Sequence, residues 1–521
     1  MNAGVPKGGV APSSKRAMNL AQFLRQTAKR HAGEIALVWG ERRWTWAELD
    51  RRVNAMAVAL AARGIGKGDR VLVQSKNCNQ MFESMFACFR LGAVWVPTNF
   101  RLTADEVAYL AKASDAAAMI CGAEFPDHAA AAKQAAPSIR VTISIGAAPF
   151  GGDYDALVAE YDGSNAPEAG VERDDPCWFF FTSGTTGRPK AAVLTHGQMG
   201  FVVTNHLCDL MPATTHRDAS LVVAPLSHGA GIHQLAQVAR GVKTVLLGSE
   251  KFDAVEAWRL VEQWRISNMF TVPTILNMLA AHPAADTFDH SSLRYVIYAG
   301  APMYREDQKH ALKKLGKVLV QYFGLGEVTG NITVLPADLH EPEDGPHAKI
   351  GTCGYARTGM QISVQDDNGR ELGAGETGEI CVCGLAVFAG YYDNPEANAK
   401  AFRDGWFRTG DLGHMARKVS STSPAAPPTC TYPAAQTFIR ARSRRRCSRI
   451  RPLPRSPLSA CRTGSGARPV SRFAYCGAVR GSTSRNCSRG SRRKWRATSC
   501  PSGCFSGPNC RDPATARSPR S

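Results

Sequence analysis

"WFFFTSGTTGRPKAAVLTH", residues 178–196, decides how the rest of the chain is read. An apolar run ends in Thr182-Ser183-Gly184-Thr185-Thr186-Gly187, and Lys190 follows after Arg188 and Pro189. Small residues let consecutive backbone N–H groups turn toward one anion, and the hydroxyls and an ammonium add further donors. The stretch predicts a phosphate cradle fed by a strand. It is not a Walker A loop, because Gly187 and Lys190 are separated and no Gly-Lys-Ser/Thr occurs there. The plain alternative is a Ser/Thr/Gly turn that holds nothing.

On either side the chain alternates helical and strand periods. "MNLAQFLRQTAKRH" and "TWAELDRRVNAMAVALAARG" repeat apolar residues at helical spacing, whereas "DRVLVQSK", "AVWVPT", "SLVVAPL", "KTVLLG", "NMFTVP" and "RYVIYAG" are short β-branched runs. That rhythm predicts an α/β fold class with largely parallel sheets: a large multi-layer domain of two α/β subdomains. From about residue 345, glycine-punctuated strands such as "ISVQDDNGRELGAGETGEICVCG" predict a small antiparallel, barrel-like β subdomain. No internal repeat is visible.

Composition divides the chain. Its 521 residues carry a net charge of +19, yet residues 417–521 hold 23 Lys and Arg against the single acid Asp512, leaving 40 basic and 43 acidic residues before them. The body is therefore that of an ordinary soluble protein, and a cytoplasmic one. Its eight cysteines stand singly, as in "MFACFRLGAVWV", and read as buried free thiols rather than a disulfide framework. Residues 1–18 are a Gly/Ala/Pro-rich, disordered lead without the apolar core of a signal peptide, and no apolar run is long enough to span a membrane.

The chain resembles the adenylate-forming, or AMP-binding, superfamily in its acyl-CoA synthetase branch. "TSGTTGRPK" matches the phosphate-loop signature residue for residue, and "PLSHGAG" (225–231), "YAGAP" (298–302), "YFGLGE" (322–327), "GETGEI" (375–380), "GYYDNPEANAKAF" (390–402) and "GWFRTGD" (405–411) follow in order. The resemblance covers residues 19–415 and implies an acid:CoA ligase. A carboxylate is joined to the α-phosphate of ATP, pyrophosphate leaves, and the acyl group passes to the thiol of CoA.

The resemblance also implies roles. Thr182, Ser183, Gly184, Thr185, Thr186, Gly187 and Lys190 would hold the phosphates, with Thr186, Lys190 and Glu327 acting in catalysis. Glu327 would ligate Mg²⁺, which prefers a carboxylate plus substrate phosphates. Gly300, Ala301 and Pro302 would wall the adenine opposite Phe323, and Asp411 would bind the ribose diol. His228, Gly229, Gly231 and Gly300 would face the acid. Taken singly, Glu327 is also readable as a surface acid, Asp411 as a helix N-cap, and His228 or His196 as structural histidines. One departure stands out: Gly326 occupies a position where many members carry Thr, so a hydroxyl donor to the α-phosphate is missing.

Past residue 416 nothing displayed matches the small mobile α+β domain with which the family continues. A reading shifted by one base does. Displayed residues 420–446, "SSTSPAAPPTCTYPAAQTFIRARSRRR", permit the string FLYITGRASDMYISGGSNVYPREIEEK, which resembles the family's hinge and mobile domain. Displayed residues 501–518 permit PKRVFFWAELPRSGYGKI, whose lysine, the family's catalytic one, falls opposite Arg517. Residues 416–521 therefore read as an aberrant, disordered, out-of-frame tail, with the shift between Met415 and Val419. The alternative is a basic nucleic-acid-binding arm; it lacks aromatic rhythm and paired zinc spacing, so no nucleic acid is expected as a partner.

The expected partners are a fatty or aryl carboxylic acid, ATP and CoA, with Mg²⁺ as cofactor. The chain as written is expected to be impaired. Two rival readings are an adenylating enzyme that loads a carrier protein and a non-catalytic nucleotide-binding remnant. Neither the individual acid nor the oligomeric state is legible in the sequence.

Overall fold

Strands such as Arg70–Gln74, in which Val71, Leu72 and Val73 are all fully buried, have the two-sided apolar pattern of parallel sheets covered on both faces. The structure, a computed structural model, describes residues 18–183, 188–249, 251–345, 348, 350–416 and 430–431. All lie in the first of two compact units, Met1–Arg451. The tail expectation, but for the backbone of 430–431, and nearly all of the N-terminal lead fall outside the described residues.

One sheet has seven strands, in the order Gly152–Asp153, Val141–Ile145, Ala118–Gly122, Arg70–Gln74, Val94–Pro97, Pro176–Ser183 and Pro189–Thr195. Its neighbours run parallel except the last pair, an antiparallel hairpin made by the opening stretch. Trp95 and Trp178 fix the hairpin to the sheet, their rings edge to face at 4.6 Å.

The other sheet is centred on parallel strands Ile35–Trp39, Lys243–Leu246, Ala219–Val222, Asn268–Thr271, Tyr295–Tyr298 and Leu319–Phe323. Arg42–Thr45 closes one edge antiparallel, and Thr333–Leu335 and Thr352–Ala356 extend the other. Met360–Gln365, Gly378–Gly384 and Trp406–Met415 form the small antiparallel β subdomain expected from the glycine-punctuated region. The two-residue strand Cys430–Thr431 pairs with both Thr352–Ala356 and Trp406–Met415.

The helices follow their sequence signals. Trp46–Ala62 and His196–Asp209 both begin with a capping box, Thr45 with Glu48 and Thr195 with Gln198. Asn79–Leu91 is buried at every position but its last, which places it between layers. Its fully buried Glu83 is held by Arg52 at 2.7 Å and Asn79 at 2.9 Å, so the charge is paired rather than stranded. Six of the eight body cysteines are buried and all are free; Cys208 is exposed. Among the described residues no helix is long and apolar enough to cross a membrane.

Candidate active site

The segments on either side of the phosphate-loop stretch pair as an antiparallel hairpin. Thr182 pairs with Lys190 across it and Ser183 with Pro189, so both sides of the loop are held in antiparallel register. Gly184, Thr185, Thr186 and Gly187, together with the side chain of Ser183, lie outside the described residues.

Beneath the hairpin stands Glu327, in the short 3₁₀ turn Gly326–Val328 and only 5 % exposed. It is not a surface acid. Thr182 Oγ1 donates to Glu327 Oε1 at 2.8 Å, and the Tyr391 hydroxyl donates to the same oxygen at 2.9 Å. Its carbonyl accepts from the Phe388 amide at 2.8 Å. Among the described residues both side-chain donors converge on Oε1 and none engages Oε2.

Tyr391 has no role in the sequence reading, although it lies in the quoted "GYYDNPEANAKAF". It pairs with Ala192 on the hairpin, and Asn398 clamps its backbone both ways, accepting from its N–H at 2.7 Å and donating to its carbonyl at 3.0 Å. Its ring carries Lys190 Nζ at 4.3 Å from the centroid, a cation–π contact. Burial and the neighbouring Glu327 charge push its hydroxyl pKa well up, so it stays a donor. Tyr391→Phe, which keeps the ring and deletes the hydroxyl, is expected to weaken Mg²⁺-dependent ATP binding about tenfold, a charged hydrogen bond being worth about 1.5–3 kcal/mol. ATP titrated without Mg²⁺ should bind the variant and the parent alike; equal binding in both conditions would exclude the anchoring role.

Phe180 joins three of the motifs. Its ring meets His228 edge to face at 5.4 Å, and a Cβ built on Gly326 would lie 2.6 Å from its Cδ1 and 2.8 Å from Thr182 Cγ2. A side chain at position 326 would therefore require the Phe180 ring or Thr182 to move. His228 is the N-cap of Gly229–Arg240, half-buried, with Nδ1 at 2.8 Å from Ser227 Oγ; burial lowers its pKa and favours the neutral ring. A Cβ on Gly229 would stand 2.5 Å from Phe270 Cζ, and one on Gly231 2.0 Å from the Leu226 carbonyl oxygen. Both glycines sit where the helix start packs hardest. His196 is buried, its Nδ1 accepting from the Leu20 amide at 3.3 Å, a structural contact.

Gly300, Ala301 and Pro302 are exposed just beyond Tyr295–Tyr298, and Phe323 ends the neighbouring parallel strand Leu319–Phe323. These are the carboxyl ends of parallel strands, where α/β sheets bind ligands. Asp411 lies in Trp406–Met415, a strand, and so is no helix N-cap. There Glu379 pairs with Leu412 but Cys381 with Arg408, so extra residues bulge between them; Gly410 turns at φ +73° and Asp411 N–H donates to Thr409 Oγ1 at 3.1 Å. Glu379 closes the bulge by accepting from Gly410 N–H at 3.0 Å and from Arg408.

A family model described as AMP-binding enzyme matches residues 24–392. The chain belongs to the AMP-binding enzyme family. Feruloyl-CoA synthase of an Amycolatopsis species is 37% identical over 390 residues, 74% of this chain and 72% of that one. Long-chain-fatty-acid–CoA ligase FadD13 of Mycobacterium tuberculosis is 34% identical over 378 residues, 72% of this chain and 71% of the other. The inhibitor-bound crystal structure of the N-terminal domain of FACL13 from Mycobacterium tuberculosis matches with a TM-score of 0.69 at 30% identity, covering 79% of this chain and 98% of that one. These likenesses place this AMP-binding enzyme in the acid:CoA ligase branch.

As in other members of the family, Mg²⁺ is the implied metal. A buried carboxylate held through one oxygen by Thr182 and Tyr391, with Lys190 on the Tyr391 ring, fits a hard cation that also takes phosphate oxygens.

Proposed function

We propose that this AMP-binding enzyme activates a fatty or aryl carboxylic acid with ATP and transfers the acyl group to CoA. The observation that carries the reading is the cluster in which Thr182 and Tyr391 hold Glu327 while Lys190 rides on the Tyr391 ring. Lys190 and the hairpin loop would hold the β- and γ-phosphates, which leaves the α-phosphate open. Phe323 and the wall at 300–302 would hold the adenine, and Asp411 the two ribose hydroxyls.

The acid's carboxylate oxygen attacks the α-phosphorus, the bond to the bridging oxygen breaks, and pyrophosphate leaves with that electron pair. The CoA thiolate then attacks the acyl carbon and AMP departs. Glu327 would hold Mg²⁺, which supplies compensation for phosphate charge when bound. Neutral His228, beside Phe180 and ahead of the tightly packed helix start, would face the acid. The out-of-frame reading of residues 416–521 further implies that the chain as written is impaired in catalysis while its nucleotide site is intact.

Calorimetry with Mg·ATP tests the site. The parent chain is expected to bind, and Asp411→Ala to bind at least about tenfold more weakly, since two hydrogen bonds to a charged acceptor are lost. An absence of binding, or binding indifferent to Asp411→Ala, would overturn the assignment.

A further inference from the structure

We propose that His31, Glu34 and His216 form a site for a transition-metal dication of the Zn²⁺, Co²⁺ or Ni²⁺ class, separate from the nucleotide site. Their candidate ligand atoms all lie within 4.8 Å of one another. His31 is the C-cap of the first helix, Ala21–Arg30, and the Glu34 amide donates to the His31 carbonyl at 2.9 Å, a turn that brings the carboxylate to 3.0 Å from His31 Nδ1. His216 comes from far along the chain, in the loop that precedes Ala219–Val222, and its ring stacks on that of His31 at 4.5 Å. Among the described residues, its ring nitrogens have no hydrogen-bond partner.

The cluster stands at the start of the parallel strands, whereas Gly300 and Phe323 stand at strand ends. Gly241 makes the space: a Cβ there would lie 3.0 Å from His31 Cδ2 and 3.3 Å from His216 Cβ. A cavity of about 300 Å³ opens beside the two rings, so remaining coordination positions are reachable by water.

The donor set selects the metal. Two imidazole nitrogens and one carboxylate oxygen suit Zn²⁺ and its neighbours, while Mg²⁺ and Ca²⁺ prefer all-oxygen sites. Ligand atoms of a tetrahedral centre stand about 3.4 Å apart, between the 3.0 Å of the His31–Glu34 pair and the 4.8 Å outer limit of the set, so only small side-chain shifts separate the cluster from that spacing.

Charge works against the site in part. Arg30, Arg217 and Arg240 line the same cavity. Arg30 and Arg240 are engaged, however, by the Ala239 carbonyl at 3.1 Å and the Thr214 carbonyl at 3.0 Å. The carbonyl ends of the helices Ala21–Arg30 and Gly229–Arg240 also converge here and favour positive charge. Because the ligands join the first helix to the body of the large sheet, an occupied site would act as a staple, stabilising the fold by mass action.

The test uses the full chain, stripped of metal and with accessible thiols alkylated so that cysteines do not compete. Zn²⁺ titrated in excess Mg²⁺ is expected to bind and to raise the melting temperature. His216→Ala and His31→Ala should each weaken binding at least about 10- to 100-fold, since even an outer-shell hydrogen bond is worth that much. They should also abolish the thermal shift. His216→Gln serves if the alanine variant is unstable. Zn²⁺ binding unchanged in the folded double variant His31→Ala/His216→Ala would overturn the proposal. So would a parent chain that is stabilised by inorganic phosphate and not by Zn²⁺, which would make the arginine-lined cavity an anion site. ATP binding plays no part in either readout, so the metal site and the nucleotide site stand or fall separately.

Discussion

Acid:CoA ligase turnover by the chain as written is expected to lie at least about 10²- to 10³-fold below that of the same gene with its frame restored between codons 415 and 419. Family resemblance assigns the mobile domain a lysine that stabilises charge on the reacting carboxylate and α-phosphate, and the displayed chain has Arg517 at that place within an unrelated sequence. Loss of one preorganised group of this kind typically costs about 10²- to 10³-fold, and misplacing the domain removes orientation as well. Mg·ATP binding should be nearly equal in the two chains, because Thr182, Lys190, Glu327, Tyr391 and Asp411 precede the shift. The assay is AMP release with acid, ATP and CoA. Comparable turnover before and after repair would sink the out-of-frame reading in its functional consequence, and a repaired chain that binds ATP but ligates no fatty or aryl acid would sink the proposed reaction.

Gly326→Thr is expected to destabilise the fold by about 1–3 kcal/mol, the usual cost of forcing extra carbon into a packed site. The added Cβ would fall within 2.8 Å of the Phe180 ring and Thr182 Cγ2. Phe180 cannot yield without disturbing His228, and Thr182 cannot yield without loosening its hydrogen bond to Glu327. Mg·ATP binding should therefore fall together with the urea midpoint. Phe180→Ala should cost less in the Gly326→Thr background than in the parent, a coupling that a double-mutant cycle reads directly. A single Gly326→Thr variant as stable as the parent would show that the strand and turn are not interlocked. The sequence alone presents Gly326 as a missing donor; the packing presents it as the partner of a large aromatic.

Elements were legible because their signals are local. Thr45 and Glu48 cap a helix whatever lies around them, and the buried run in "DRVLVQSK" makes a strand from its own β-branched residues. The nucleotide-site candidates were legible for a different reason: motifs such as "TSGTTGRPK" and "YFGLGE" carry unusual residue types at fixed spacing. Tyr391 was not, since a tyrosine in a Gly-Tyr-Tyr run carries no sign that its hydroxyl will reach a carboxylate 64 positions away.

The sequence by itself determined the α/β rhythm, the Ser/Thr/Gly-rich composition of residues 182–190, the membership of one enzyme family, and the break in composition after residue 416. Tertiary structure alone decided what those parts meet. The N-terminal strand Ile35–Trp39 pairs with Lys243–Leu246, Leu37 opposite Thr244, and so belongs to a sheet whose other parallel strands lie beyond residue 218. Such pairings are set by which apolar faces can be buried together, a property of the whole chain that no local window contains. The same holds at the site. Whether Glu327 is a solvated acid or a buried, anchored carboxylate depends on Thr182 and Tyr391 converging on one of its oxygens, and convergence of three distant segments is a consequence of packing.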